Sequence, residues 1–85
     1  MYQIRLLAEA SRELAGLDKP VRSRIVDRLR WLSENLDRIT PLPLTGDLAG
    51  FYKFRVGNFR IIYEIQRQEN TILVHTIGHR REVYG

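Results

Sequence analysis

The stretch FYKFRVGNFRIIYE, Phe51–Glu64, reads as two short strands joined by Gly57-Asn58. A two-residue loop of this kind between alternating apolar runs signals a tight β-hairpin. It pairs Val56 with Phe59, Arg55 with Arg60, Phe54 with Ile61, Lys53 with Ile62 and Tyr52 with Tyr63. Side chains alternate along a strand, so Tyr52, Phe54, Val56, Phe59, Ile61 and Tyr63 share one face. Lys53, Arg55 and Arg60 share the other. Like charges directly opposite on a sheet destabilise it, so this arrangement carries a cost unless an anion joins it.

Working outward, YQIRLL at Tyr2–Leu7 predicts a first strand. Ala10, Leu14 and Leu17 form one helical stripe, closed by Gly16 and Asp18. Pro20 suits the first turn of a second helix with Asp18 as candidate N-cap. That helix buries Val21, Ile25, Leu29, Leu32 and Leu36, a period near 3.6 residues. The two prolines and two glycines between Ile39 and Gly50 mark a loop, and a last strand follows at Thr71–Ile77. The order is β-α-α-β-β-β in a single domain, residues 1–85. Helices segregated from a run of strands indicate α+β, an antiparallel sheet packed on one face by a helical hairpin. The aromatic hairpin face then lies under the helices, leaving Lys53, Arg55 and Arg60 as a bare concave basic surface. Trp31 falls off the apolar stripe of the second helix, near Arg24 and Arg28, and is expected to pack on the first helix. Arg22, Arg24, Arg28 and Arg30 are expected to form a solvated rim.

A chain of 85 residues makes one small domain with a thin core. With no cysteine it has no disulfide, thiol nucleophile or cysteine-ligated zinc, so the core holds by apolar packing. No secretory signal or membrane-length apolar run is apparent, which makes a cytoplasmic, membrane-free protein the expectation. The formal charge is +4 and the isoelectric point about 10.0, favouring polyanionic partners. Twelve of the fourteen cations are arginine, whose rigid fork matches phosphate oxygens. Residues 1–50 carry eight cations against seven acids, whereas residues 51–85 carry six against three. The basic excess lies on the sheet-forming half, which points to a site there.

The segments LAGFYKFRVGNFRIIYEI and IGHRREVY, after a strand and two helices, resemble the RelE toxin family within the RelE/ParE superfamily of bacterial toxin–antitoxin systems. The resemblance spans essentially the whole chain. It implies a ribosome-dependent endoribonuclease that cuts mRNA in the decoding site and inhibits translation. It also implies a cognate antitoxin, with operator DNA bound only through the toxin–antitoxin complex. Carried over by position, Lys53 and Arg55 match the two strand cations of the family, Arg60 the arginine of the next strand, and Arg80 and Tyr84 the C-terminal arginine and tyrosine. Arg81, with Lys53 and Arg55, is expected to bind RNA. The Arg80-to-Tyr84 spacing is shorter than in the best-known member. The chain also ends at Gly85, so inhibition by displacing a further C-terminal helix is not expected. The ParE branch shares the fold but blocks DNA gyrase, and does not typically assemble these cations with a C-terminal Arg and Tyr. A nucleic-acid-binding module without activity is a third reading.

RNA cleaves itself when its 2′-OH attacks the adjacent phosphorus. A catalyst then deprotonates that hydroxyl, protonates the leaving 5′-oxygen and stabilises charge on the phosphate. This needs neither metal nor cofactor, and no carboxylate cluster suggests a metal. Arg55, Arg60 and Arg80 are permanent cations suited to charge stabilisation. Cationic neighbours favour a neutral amine and an ionised phenol, which makes Lys53 and Tyr84 interchangeable candidates for base and acid. His79 is a further catalytic candidate because an unperturbed histidine titrates near neutrality. Glu82 is a weaker base candidate, and His75, on a branched mid-strand run, is expected to be structural.

Overall fold

The computed structural model describes residues 1–79. The chain runs β1 (Gln3–Leu6), α1 (Ala8–Ala15), α2 (Lys19–Asn35), β2 (Leu42–Pro43), β3 (Tyr52–Val56), β4 (Phe59–Gln66) and β5 (Thr71–His79). One-turn 3-10 segments at Leu36–Arg38 and Gly46–Leu48 flank β2. The five strands form one sheet in the order β1-β5-β4-β3-β2. The α+β order expected from sequence is present, with β2 as a two-residue addition inside the proline-rich loop.

The expectation of an antiparallel sheet is corrected at one edge. β2–β3, β3–β4 and β4–β5 are antiparallel, but β1 lies parallel to β5. The two helices between β1 and the other strands supply the long crossover that a parallel neighbour needs. The β3–β4 register is the one the turn dictates, with Tyr52 opposite Tyr63, Arg55 opposite Arg60 and Val56 opposite Phe59. Gly57 takes a φ of 57°, which a residue with a Cβ adopts only at a cost.

The core lies between the helices and one sheet face. Ile25, Leu29, Leu32 and Leu36 of the second helical segment are buried against Val56, Ile61, Tyr63, Val74 and Ile77. Pro20 occupies the first turn of α2, and Asp18 stands at the N-cap position without a side-chain cap bond. Trp31 does not pack on α1 as expected. It stacks parallel to Phe54, with centroids 6.3 Å apart, and Arg28 places its guanidinium 4.5 Å from the Trp31 ring centre. That cation–π contact explains why Trp31 stays at the surface beside an arginine. Arg28 is therefore a packing element rather than part of a solvated rim. No helix among the described residues is long and apolar enough to cross a membrane.

Tyr63 is the large polar-tipped residue of this core, packed 5.7 Å from the ring of Tyr52. Burial, with a smaller contribution from Tyr52, pushes its hydroxyl up to about 12. The folded state thus holds this proton more tightly than the unfolded chain, where a tyrosine titrates near 10. Its contribution is complete below pH 10 and is lost as pH rises toward 12. Urea midpoints measured between pH 9 and 12 should fall more steeply for the wild type than for Tyr63→Phe. Parallel slopes would show that Tyr63 ionises as readily in the fold as out of it.

Candidate functional site

The face of the sheet away from the core carries two cross-strand rows. Pairing places Lys53, Ile62 and Thr76 side by side in one row, and Arg55, Arg60 and Gly78 in the next. Residues directly opposite on neighbouring strands share a face with Cβ atoms about 5 Å apart. Lys53, Arg55 and Arg60 are therefore brought together, as the hairpin register requires.

They are not equally open. Arg55 is exposed and Lys53 half-buried, but Arg60 is only 1% exposed. The expected bare basic surface is corrected here, because the sheet offers the two arginines different surroundings. Arg60 sits on β4, flanked on both sides by β3 and β5. Arg55 sits beyond the reach of β2, whose pairing with β3 involves only Tyr52 and Lys53. The guanidinium of Arg60 is buried while that of Arg55 is exposed, so Arg55 and Lys53 present their charge at the surface and Arg60 lies behind them. Burial also strengthens the interaction of Arg60 with charge brought near it, since water screens it less.

His79 does not join this group. It closes β5 opposite Phe59, on the core face, with the two rings edge to face at 5.8 Å. Alternation forces this, since Gly78 takes the place opposite Arg60. Arg80, Arg81, Glu82 and Tyr84 lie outside the described residues.

The structure adds Glu9, Glu13, Glu64 and Thr76, which sequence reading did not single out, and groups His75 with them. A register irregularity between Ile62 and Tyr63 shifts the β4–β5 pairing, so that Ile62 faces Thr76 while Tyr63 faces Val74. His75 is the extra residue, and a bulge of this kind re-aims a side chain. It turns His75 to the same face as Thr76, where Nε2–H donates to the Glu64 carboxylate at 2.9 Å. Its ring meets Phe51 edge-on at 4.7 Å. Past Val74, β5 has no strand on its β1 side, and α1 covers that edge instead. Leu7 N–H donates to the Val74 carbonyl at 3.0 Å, and the Glu13 carboxylate accepts from Ile77 N–H at 2.8 Å. Glu9 and Glu13 consequently line a cleft of about 400 Å3 with Leu48, Phe51, Ile62, His75, Thr76 and Gly78. Neither the bulge nor the use of a glutamate to close a strand edge leaves a mark in the sequence pattern. The only hint of either is an isolated histidine inside an otherwise apolar strand.

The described fold, a helical pair over a five-stranded sheet, matches known proteins. The sequence model of the ParE toxin of type II toxin–antitoxin systems (parDE) matches residues 4–84. Toxin RelG of Mycobacterium tuberculosis is 29% identical over 84 residues, covering 98% of this chain and 95% of RelG. The toxin–antitoxin complex RelBE2 from Mycobacterium tuberculosis contains a chain that superposes with a TM-score of 0.83. That chain is 29% identical, with 93% of this chain and 98% of the other covered. The isolated Escherichia coli RelE toxin has the same fold, with a TM-score of 0.78 at 22% identity, covering 93% of this chain and 84% of RelE. A match across nearly every residue, carried by this fold, makes the chain a member of the ParE toxin family of type II toxin–antitoxin systems, within the RelE/ParE superfamily.

Proposed function

We propose that this toxin is a metal-independent endoribonuclease that cuts mRNA on the ribosome and so inhibits translation. The observation that carries the reading is the pair of cross-strand rows that sets Arg55 and Arg60 opposite each other beside Lys53. Arg55 and Lys53 can meet a phosphate directly, and the buried Arg60 adds its charge from behind them. They hold it in place before the reaction begins, which is how preorganised charge lowers a barrier. The similarity to RelG and to the toxin of RelBE2 over almost their whole lengths favours the RelE-type activity.

In this reading the RNA supplies its own nucleophile. The 2′-oxygen loses its proton to Lys53 or Tyr84 and attacks the adjacent phosphorus. Arg55, Arg60 and Arg80 stabilise charge on the phosphate oxygens. The bond to the 5′-oxygen breaks, and that oxygen takes a proton from the other of the two carriers. The products are a 2′,3′-cyclic phosphate and a 5′-hydroxyl. Arg81 adds RNA contact. His79, from the core face, would reach the reaction only through a change in the end of β5.

Arg55 is the residue to substitute, because it is exposed and its loss leaves no void. Arg55→Ala should lower the cleavage rate by roughly 2–4 kcal/mol of transition-state stabilisation, comparable to losing one oxyanion donor. Thermal unfolding should stay within a degree or two of the wild type. Ribosome-bound mRNA carrying a 2′-deoxy nucleotide at the scissile position should resist cutting altogether. Cleavage of the deoxy message would refute self-attack by the 2′-OH.

A toxin chain of the RelBE2 toxin–antitoxin complex is similar to this one, which supports a cognate antitoxin as partner, and the same basic face suits it. An acidic antitoxin segment laid on Lys53 and Arg55 would block RNA and neutralise the repulsion built into the sheet. The resulting cytoplasmic complex, rather than the toxin alone, would bind operator DNA. Complex affinity should weaken as salt rises, because exposed charge pairs are screened beyond about 10 Å at 0.1 M. Affinity that is flat across that range would place the antitoxin elsewhere on the molecule.

A further inference from the structure

The cleft beside the cationic rows has a character the phosphate site does not explain. One wall is apolar, formed by Leu48, Phe51 and Ile62, and the other carries the carboxylates of Glu9 and Glu13. Its volume of about 400 Å3 falls at the small end of sites that take a single small ligand or ring, roughly 300–1,000 Å3. The Thr76 hydroxyl in its wall is buried and finds no hydrogen-bond partner among the described residues. A buried hydroxyl without a partner costs free energy.

Position says what that ligand is attached to. Ile62 and Thr76 continue the row of Lys53 across the sheet, and Gly78 continues the row of Arg55 and Arg60. Strands are about 4.8 Å apart, so the cleft begins one strand away from the buried Arg60. A phosphate held on the cations leaves its own nucleotide within reach of the cleft. Acidic walls repel a second phosphate, while the flat apolar wall suits the face of a ring. The carboxylates accept hydrogen bonds and donate none.

We infer that this cleft is a nucleobase subsite, taking a base with an exocyclic amino group from the RNA strand held on the cations, and discriminating against uracil. The inference rests on the endoribonuclease reading above. Adenine, cytosine and guanine each present an N–H2 group to a carboxylate. Uracil presents one ring N–H flanked by two carbonyl oxygens, which set oxygen against oxygen. Glu13 already accepts from Ile77 N–H through one oxygen, so that bond fixes its carboxylate in place.

The test titrates the full-length protein with 2′-O-methyl trinucleotides, which resist cleavage, differing only in one base. Backbone amide shifts at Phe51, Ile62 and Thr76 report occupancy of the cleft. The A, C and G probes should bind about tenfold more tightly than the U probe, the worth of one good base contact. Glu13→Gln keeps an acceptor for Ile77 N–H, and Glu9→Gln changes an exposed helical residue. Together they place amide donors in the wall, and the preference should move toward uracil, whose carbonyls accept. Equal binding of all four probes, shifts confined to Lys53 and Arg55, or an unchanged preference in the double variant would overturn the subsite. Selective binding supports it whatever a ribosome assay returns. Uniform binding sinks it even where mRNA is cut.

Discussion

The β3–β4 turn closes over two residues, so the strands on either side have no freedom of register. Side chains alternate with a period of two, and a slip of one residue would exchange the faces of both strands. With Gly57 at a φ of 57° and Val56 opposite Phe59, the aromatic residues go under the helices. The same constraint leaves Lys53, Arg55 and Arg60 nowhere to go but together. Core and site are thus two consequences of one turn. The stability gained by burying Ile61 and Tyr63 offsets the cost of opposing two arginines.

The second constraint acts at the other end of the sheet. β1 is short and pairs with β5 only as far as Val74, leaving the rest of β5 with an open edge. An open edge invites unwanted strand pairing, and proteins cover it. Here the cover is α1, with Glu13 substituting for a strand carbonyl at Ile77. This brings acids to the margin of a basic face and gives that face two chemically distinct halves. The bulge at His75 adds a polar pair, His75 and Glu64, between them.

The sequence made the local features of this fold legible and hid the long-range ones. Turn chemistry alone set every pair of the β3–β4 hairpin, and a period near 3.6 marked the buried residues of α2. The parallel placement of β1 was hidden, since alternation within a strand says nothing of its neighbour's direction. Whether an arginine on the polar face is open depends on strand order, so Arg60 read like Arg55 although one is buried and the other exposed. Trp31 was misplaced because helical periodicity shows that a residue leaves the apolar stripe, not that Phe54 and Arg28 await it. His79 read as a catalytic candidate from its chemistry, but the pairing that sets Gly78 beside Arg60 turns it to the core face.

The two activities weighed from the sequence, cutting mRNA on the ribosome and blocking DNA gyrase, are both expected of one fold, so architecture alone does not choose between them. The proposal for mRNA rests on the opposed arginines and their neighbouring lysine, a charge arrangement suited to a phosphate in a flexible strand. The direct measurement sets both targets side by side, adding the purified toxin to a translation reaction and to a gyrase supercoiling reaction. The account predicts message cut on the ribosome, with supercoiling unaffected at the same concentration. Blocked supercoiling alongside intact message would contradict it and assign the protein to the gyrase-directed branch.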